Sequence, residues 1–247
     1  MISLTLWALA GTMFIFLMTA LGAALVFFFP GEVRLRFQAA LMGFAGGIMT
    51  AAAVWSLLLP AIEQTVAETS LPGWFPAAVG ILTGAAFISS IDSLQPGRLL
   101  PGGKYSLLFA AITLHNIPEG MAVGLAFALA SDGEGLAAAM TLAFGIGIQN
   151  FPEGAAVSLP LRQSGMSRKK AFLSGLLSGA VEPVFGMLAV LTASLIHPLM
   201  PWLLSFSAGA MLYVTAHELV PEAEGRTGTF GYMGGFLLMM ILDIALS

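Results

Sequence analysis

Long apolar stretches, separated by short polar breaks with glycine and proline, make up nearly the whole chain. Each stretch reaches the length of about 20 residues that an α-helix needs to cross a bilayer. The pattern predicts eight transmembrane helices, at 4–29, 37–60, 74–94, 105–130, 135–160, 170–195, 199–221 and 228–246. Because the breaks are short, we expect a single transmembrane domain over residues 1–247 without a soluble appendage.

Composition supports an all-α polytopic membrane protein whose surroundings are the lipid bilayer. The chain is 58% hydrophobic and only 9% charged, whereas soluble domains are about 25% charged. It has no cysteine, so it can form neither a disulfide framework nor a thiolate metal site. The basic run at 168–170 is interpreted as a topology signal, and no nucleic acid partner is expected.

The basic residues predict the orientation of the helices. All nine lie in or beside the loops after helices 1, 3, 5 and 7: Arg34, Arg36, Arg98, Lys104, Arg162, Arg168, Lys169, Lys170 and Arg226. The alternate loops carry acidic residues instead. Since basic loops remain in the cytoplasm, both termini are expected to face outward.

Helices 4 and 5 carry two copies of one polar motif, LHNIPEGMAVG at 114–124 and IQNFPEGAAVS at 148–158. Each copy lies about halfway along its helix, and the two helices run antiparallel, so the copies are expected to meet near the bilayer midplane. An acid at that depth is costly unless it has a partner, and it is therefore a functional-site candidate.

The motifs bring metal-binding groups to the same depth. Residues four apart share a helix face, which stacks an imidazole on one carboxylate and an amide on the other: His115, Asn116, Glu119, Gln149, Asn150 and Glu153. The prolines also free the carbonyls of Leu114 and Ile148 from helical hydrogen bonds. Such ligands suit Zn²⁺, Fe²⁺ and Mn²⁺. The alternative is that the motifs only kink and pack two helices, which a second, antiparallel copy disfavours.

Further polar residues in the apolar stretches have less certain roles. Glu182, in SGAVEPVFG, is the best additional ligand, although it could instead cap a neighbouring helix, and Met49 is considered as a soft ligand. Other candidates for the ion pathway lie toward predicted inner helix ends: Asp92, His217, Glu218 and Glu222. These four could equally be solvated. Asp243 and Glu63 could simply be interfacial residues, and His197 is interpreted as a solvated one.

A weaker similarity links helix 2, FAGGIMTAAAVWSLLLPAIE, with helix 7, FSAGAMLYVTAHELVPEAE. Both have small residues, then methionine, then proline and an acid. Because helix 2 runs outward and helix 7 inward, the first three and last three helices could be inverted repeats around the pair 4–5. Inverted repeats with broken helices at the midplane are typical of transporters.

HNIPEG, the second NFPEG, SGAVEP and AGAMLYV…ELVPE together resemble the ZIP (Zrt/Irt-like) family of divalent metal transporters, in its bacterial GufA-type branch. The resemblance implies a 3+2+3 fold of eight helices, often in a homodimer, in a bacterial inner membrane. It also implies that helices 1, 4, 5 and 6 move against the others, and that Zn²⁺, with Fe²⁺, Mn²⁺ and Cd²⁺, is carried into the cytoplasm. Metal is then the substrate, and no prosthetic group is expected.

The resemblance assigns the ligands to two metals. One would be held by His115, Gln149 and Glu153, with a contribution from Met49. The other would be held by the following residues, with Glu153 shared: Asn116, Glu119, Asn150, Glu153 and Glu182. The residues that match His217 and Glu218 line the inward exit in the family.

This chain departs from the family in three ways. Many relatives have histidine at the position of Gln149, so weaker and less selective Zn²⁺ binding is expected here. Asn150 is neutral where some bacterial relatives have aspartate. The histidine-rich loop of eukaryotic members is absent, because residues 94–103 contain no histidine.

The sequence also bears on two other function classes, enzymes and proteins that bind metal without transporting it. A metalloprotease needs His-Glu-x-x-His, but His217-Glu218 is followed by Leu-Val-Pro. An intramembrane acid protease needs paired aspartates, and Asp92 and Asp243 are predicted near opposite faces, so no enzyme is expected. A metal sensor or scaffold that does not transport remains the alternative.

Overall fold

A computed structural model describes residues 2–28, 35–94, 106–130 and 133–246, and every regular element in these ranges is helical. The helices, numbered in chain order, are α1 (Ile2–Ala24), α2 (Leu35–Ala52, continued by Leu59–Glu68), α3 (Trp74–Leu94), α4 (Ser106–Leu129), α5 (Gly133–Gln163), α6 (Arg168–Gly179, continued by Val181–Leu191), α7 (Met200–Val214, preceded by Ala193–Ile196 and followed by Val220–Glu222) and α8 (Gly225–Leu246). The all-α prediction is confirmed.

Five helices of the described residues are long and apolar enough to cross a membrane: Leu4–Phe28, Arg36–Glu68, Arg168–Leu191, Ala193–Glu222 and Gly225–Ala245. Trp74–Ser90, in α3, is a shorter apolar helix. Helices α4 and α5 are not among the five, and both carry a polar motif in the middle of an apolar sequence. The crossing of all eight, their 3+2+3 grouping and the outward termini stay predictions.

The helices pack mainly as four pairs, which are α1 with α5, α4 with α6, α2 with α8, and α3 with α7. Contacts of α1 with both parts of α6, and of α4 with α5, join the first two pairs. Contacts of α7 with α2 join the other two. The polar motifs of α4 and α5 therefore lie in a group formed by α1, α4, α5 and α6.

Glycine permits the closest of these contacts. A Cβ on Gly120, in the first motif, would collide with the backbone of Glu182 in α6. A Cβ on Gly154, its counterpart in the second motif, would collide with the carbonyl oxygen of Thr19 in α1. Small residues let helix backbones approach in membranes. The two motif glycines thus bring α1 and α6 against the two motif-bearing helices.

Two helix ends lie beyond their predicted positions. Helix 2 was expected to end at residue 60, but after a π-helical turn at Ala53–Leu58 it continues to Glu68. Pro60 lies in the first turn after that interruption, where a missing N–H is tolerated. Helix 5 was expected to end at residue 160, but it continues past Pro160 to Gln163. Proline was therefore a poor indicator of the ends of these helices.

Helix α6 is interrupted at Ala180, three residues before Pro183. Proline has no N–H for the carbonyl one turn earlier, which here belongs to Gly179. The interruption places Glu182 in the first turn of the second half of α6. A helix N-terminus favours negative charge, so this position suits a buried carboxylate.

Several residues on which the predicted topology depends lie outside the described residues. They include Arg34, Arg98, Lys104 and Asp132, and most of the loop 94–103. The side chains of Asp92 and Glu134 are also outside the description. The topological interpretation of these residues stays a prediction.

Candidate metal centre

Three buried side chains from the two motifs converge on one point. Nε2 of His115 lies 3.2 Å from Oε1 of Glu119 and 3.3 Å from Oε2 of Glu153. Their ligand atoms all lie within 4.8 Å of one another, and the three residues are 0–3% exposed. The two motifs therefore meet, as predicted, with side chains from both α4 and α5.

The spacing of these atoms fits one metal ion. Zn²⁺ binds nitrogen and oxygen at about 2.1 Å, which in a tetrahedral site separates the ligand atoms by about 3.4 Å. The observed separations of 3.2 and 3.3 Å from His115 are close to that value. One imidazole and two carboxylates also match the preference of Zn²⁺ for nitrogen and oxygen donors.

Gln149 is hydrogen-bonded to Asp243 of α8. Its Nε2 donates a hydrogen bond to Oδ1 of Asp243, which also accepts one from Oγ of Ser56. Asp243 is only 5% exposed, so its side chain is buried among the helices. Ser56 lies in the π-helical turn of α2, and the contact joins α2, α5 and α8.

The remaining amides and Glu182 form a second group. Oε1 of Glu182 accepts hydrogen bonds from Nδ2 of Asn150 at 3.1 Å and from Oγ1 of Thr19 at 3.0 Å. Nδ2 of Asn116 donates to the carbonyl oxygen of Ser178 at 2.8 Å. Glu182 is fully buried, and the group joins α1, α4, α5 and α6.

Several atoms in both groups are left with coordination capacity. Among the described residues, Nδ1 of His115, Oδ1 of Asn150, Oε2 of Glu182 and Oδ2 of Asp243 are buried without a hydrogen-bond partner. Buried polar atoms are nearly always paired. In both asparagines the amide nitrogen is a donor, and for Asn150 this leaves the buried oxygen available to a cation.

The proline in the first motif does free a backbone acceptor, as predicted. Oγ of Ser207, in α7, donates to the carbonyl oxygen of Leu114 at 2.9 Å. The helix continues through Pro118 without a break. The freed carbonyl thus ties α4 to α7, and it is engaged by a hydroxyl in this structure.

A cavity of about 520 Å³ leads to the cluster from one end of the helices. Its wall includes Glu63, Gln64 and His197 at that end, and Glu119, Gln149 and Asp243 where it reaches buried residues. His197 is 38% exposed, and its Nδ1 lies 3.4 Å from Oε2 of Glu68. The prediction of a solvated His197 agrees with this exposure.

The remaining candidates are not among the three clustered side chains, and the side chain of Asp92 lies outside the described residues. Met49 is fully buried in the apolar core. His217 is exposed and stacks on Tyr213. Glu218 is half-buried, and Glu222 lines a separate cavity of about 730 Å³ beside Arg36 and Arg226. The roles predicted for these residues, and for Asp92, are untested.

Sequence reasoning missed three residues around the site. Asp243 had a usable signal, because it is an acid inside the apolar stretch FLLMMILDIAL. Thr19 and Ser207 had none, since hydroxyl side chains in membrane helices commonly bond to their own backbone. Only the packing of α1 and α7 shows their partners in α6 and α4.

Comparison with known proteins identifies the family of this chain. Residues 104–243, which include both motifs and Asp243, match the family model described as ZIP Zinc transporter. The chain is 39% identical to zinc transporter GufA of Myxococcus xanthus, over 92% of this chain and 94% of GufA. It is 36% identical to zinc transporter ZIP11 of Xenopus tropicalis, over 98% of this chain and 97% of ZIP11. The chain is thus a multi-pass membrane protein that belongs to the ZIP zinc transporter family.

Proposed function

We propose that this chain carries Zn²⁺, together with Fe²⁺, Mn²⁺ and Cd²⁺, into the cytoplasm through a binuclear site between α4 and α5. The observation that carries the proposal is the convergence of His115, Glu119 and Glu153 at metal-ligand spacing in a membrane protein. Relatives that match nearly the whole chain are named zinc transporters. The function is transport and not catalysis.

The first metal would be bound by His115, Gln149 and Glu153, with Glu119 at the same point. Two carboxylates offset the charge of a dication, and the dication in turn offsets the unfavourable burial of the carboxylates. Gln149 is a neutral ligand where an imidazole would bind Zn²⁺ more strongly. We therefore expect the first-row dications and Cd²⁺ to compete with Zn²⁺ here.

The second metal would be bound by Asn116, Asn150 and Glu182, with Glu119 and Glu153 between the two ions. The support is that, within the described part of the chain, Oδ1 of Asn150 and Oε2 of Glu182 have no hydrogen-bond partner. This set holds oxygen atoms only, without imidazole, so it should bind a dication more weakly than the first. Two adjacent ions repel one another, which favours the release needed for transport.

Entry from outside follows from combining the cavity with the charge-based orientation. The cavity reaches the site from the end of α2 at which Glu63 and Gln64 lie, and that end is the predicted outer one. Arg36 and Arg226 share the other cavity, at the predicted cytoplasmic ends of α2 and α8. The distribution of charge and the two cavities are thus consistent with inward transport.

Helix pairing supports the proposed inverted repeats. An inverted repeat exchanges α1, α2 and α3 with α6, α7 and α8, respectively, and α4 with α5. This exchange converts the pair of α1 with α5 into the pair of α6 with α4. The same exchange converts α2–α8 into α7–α3, so all four observed pairs are reproduced. The π-helical turns Ala53–Leu58 and Thr215–Leu219 also lie in equivalent helices, each followed by proline. A single 3+2+3 domain is therefore proposed, and the homodimer rests on the family resemblance.

Measurement of flux separates transport from the alternative of a sensor or scaffold. Purified protein in proteoliposomes should take up ⁶⁵Zn²⁺ faster than protein-free vesicles, and His115→Ala should remove most of that uptake. Zn²⁺ binding by the same preparation is measured in parallel by calorimetry. Binding without uptake in the wild type would establish the sensor and refute the transporter.

A further inference from the structure

Asp243 makes two hydrogen bonds through one of its oxygens and none through the other among the described residues. Oδ1 accepts from Nε2 of Gln149 and from Oγ of Ser56, whereas Oδ2 is buried without a hydrogen-bond partner. Asp243 is more than nine-tenths buried. It lies in α8, outside the group of helices that carries the two motifs, and its contact with Gln149 spans the boundary between the two.

The contact decides which end of the Gln149 amide is available to an ion. A glutamine amide has a donor end, NH₂, and an acceptor end, the carbonyl oxygen. Because the NH₂ end is bonded to Asp243, the carbonyl oxygen is the end left for the cavity, which Gln149 lines together with Glu119. An amide turned the other way would present hydrogen atoms to a cation, and it could not bind one.

We propose that Asp243 is a positioning residue that orients the Gln149 side-chain amide so that its carbonyl oxygen faces the transported cation. This inference rests on the transport function proposed above and adds a determinant of its affinity and selectivity. Asp243 would act here as the carboxylates behind metal-binding histidines act, by fixing the orientation of the ligand.

The same contact would also suit a histidine at position 149. An imidazole at that position could donate one N–H to Asp243 and bind metal through its other nitrogen, as in carboxylate–histidine–zinc arrangements. Gln149 likewise donates one N–H to Asp243, which leaves its carbonyl oxygen for the metal. Asp243 is therefore expected to matter for the Gln149→His variant as much as for the wild type.

Initial rates of ⁶⁵Zn²⁺ uptake in proteoliposomes test the role of Asp243. Asp243→Asn offers an NH₂ group as well as an oxygen, so it no longer specifies the orientation of the amide. Loss of such an outer partner typically costs 10- to 100-fold in affinity, so KM should rise by about tenfold or more, with Vmax within about twofold of the wild type. Glu68→Gln makes the same chemical change at a carboxylate that is 41% exposed, and it should leave KM unchanged.

Two further variants show whether Asp243 acts through Gln149. Gln149→Ala should raise KM by itself, and the double variant Asp243→Asn/Gln149→Ala should have the KM of Gln149→Ala alone. A further rise in the double variant, equal to the rise in the wild-type background, would mean that Asp243 binds the ion directly and would overturn the proposal. Ser56→Ala removes the other donor to Oδ1 and should change KM less than Asp243→Asn.

A measurement on the wild type covers the case in which Asp243→Asn does not fold. The chain has only five glutamines, so ¹⁵N-glutamine labelling gives few side-chain NH₂ signals, and Gln149→Ala identifies the one from Gln149. The proposal requires a shifted, slowly exchanging amide proton, and a freely exchanging NH₂ would refute it. Wild-type vesicles without ⁶⁵Zn²⁺ uptake would instead refute the transport function, whereas uptake with an unchanged KM in Asp243→Asn refutes only the positioning role.

Discussion

Glu153→Gln is the most informative single substitution in the site. Glu153 is 2% exposed, and its two oxygens each lie 3.3 Å from Nε2 of His115. Glutamine has nearly the same shape and can still accept a hydrogen bond from the imidazole. The substitution therefore removes one negative charge and leaves the packing of α4 against α5 in place.

The expected loss follows from the charge. Two unit charges 4 Å apart attract by about 4 kcal/mol at an effective dielectric constant of about 20, and a dication doubles this to about 8 kcal/mol. Keeping a carboxylate away from water opposes the attraction by several kcal/mol. The net loss of Zn²⁺ binding free energy is then about 3 kcal/mol. Because about 1.4 kcal/mol corresponds to a factor of ten in Kd, Zn²⁺ affinity should fall by about 100-fold.

The assay is ⁶⁵Zn²⁺ uptake into proteoliposomes, with calorimetric Zn²⁺ binding on the same protein. Glu153→Gln should lose nearly all uptake at micromolar Zn²⁺ and bind Zn²⁺ weakly. Its thermal unfolding should be unchanged or shifted upward, since one of two adjacent buried carboxylates is gone. Glu68→Gln, at the surface, is the matched control. Uptake by Glu153→Gln within about threefold of the wild type would refute the proposed site.

Three other predictions concern selectivity, packing and orientation. Gln149→His should narrow selectivity, with ⁶⁵Zn²⁺ uptake less inhibited by Cd²⁺, Fe²⁺ and Mn²⁺; unchanged competition would contradict the role given to Gln149. Gly154→Ala should lower the thermal stability, because overpacking costs about 1–3 kcal/mol and a Cβ there meets the Thr19 carbonyl. Gly234→Ala, where a Cβ meets no atom within 4 Å, should leave stability unchanged or raise it, and equal melting of both variants would contradict the packing argument. Because the chain has no cysteine, Ser70→Cys and Ser164→Cys each provide a single labelling site in intact cells. A maleimide that does not cross the membrane should label position 70 and not position 164. Labelling of position 164 and not 70 would mean that the orientation is the opposite of the predicted one.

Local chemistry explains why the motif residues could be identified before the structure was known. His115 and Glu119 are four residues apart, so a helix places them on one face whatever surrounds it. Glu153 was expected at the same point because its motif lies about halfway along a helix that was predicted to run antiparallel to α4. These inferences needed only helical periodicity and the position of each motif along its helix.

Long-range contacts explain the residues that were missed or misplaced. Asp243 is 94 residues from Gln149 in sequence, and Thr19 is 163 residues from Glu182. No local pattern encodes such partners. Position along α8 suggested an interfacial Asp243, but its burial depends on how α8 packs on α2 and α5.

The sequence by itself determined that the chain is a helical membrane protein, and it determined the chemistry of the site. Apolar stretches of spanning length leave a helix as the way to satisfy backbone hydrogen bonds in lipid, and two carboxylates in those stretches require partners. Tertiary structure decided which groups the amide nitrogens bond, and that the carboxylate of Asp243 is the one bonded to Gln149. The physical reason is that an amide can bind through either end, and only the groups packed around Gln149, Asn116 and Asn150 select one of them.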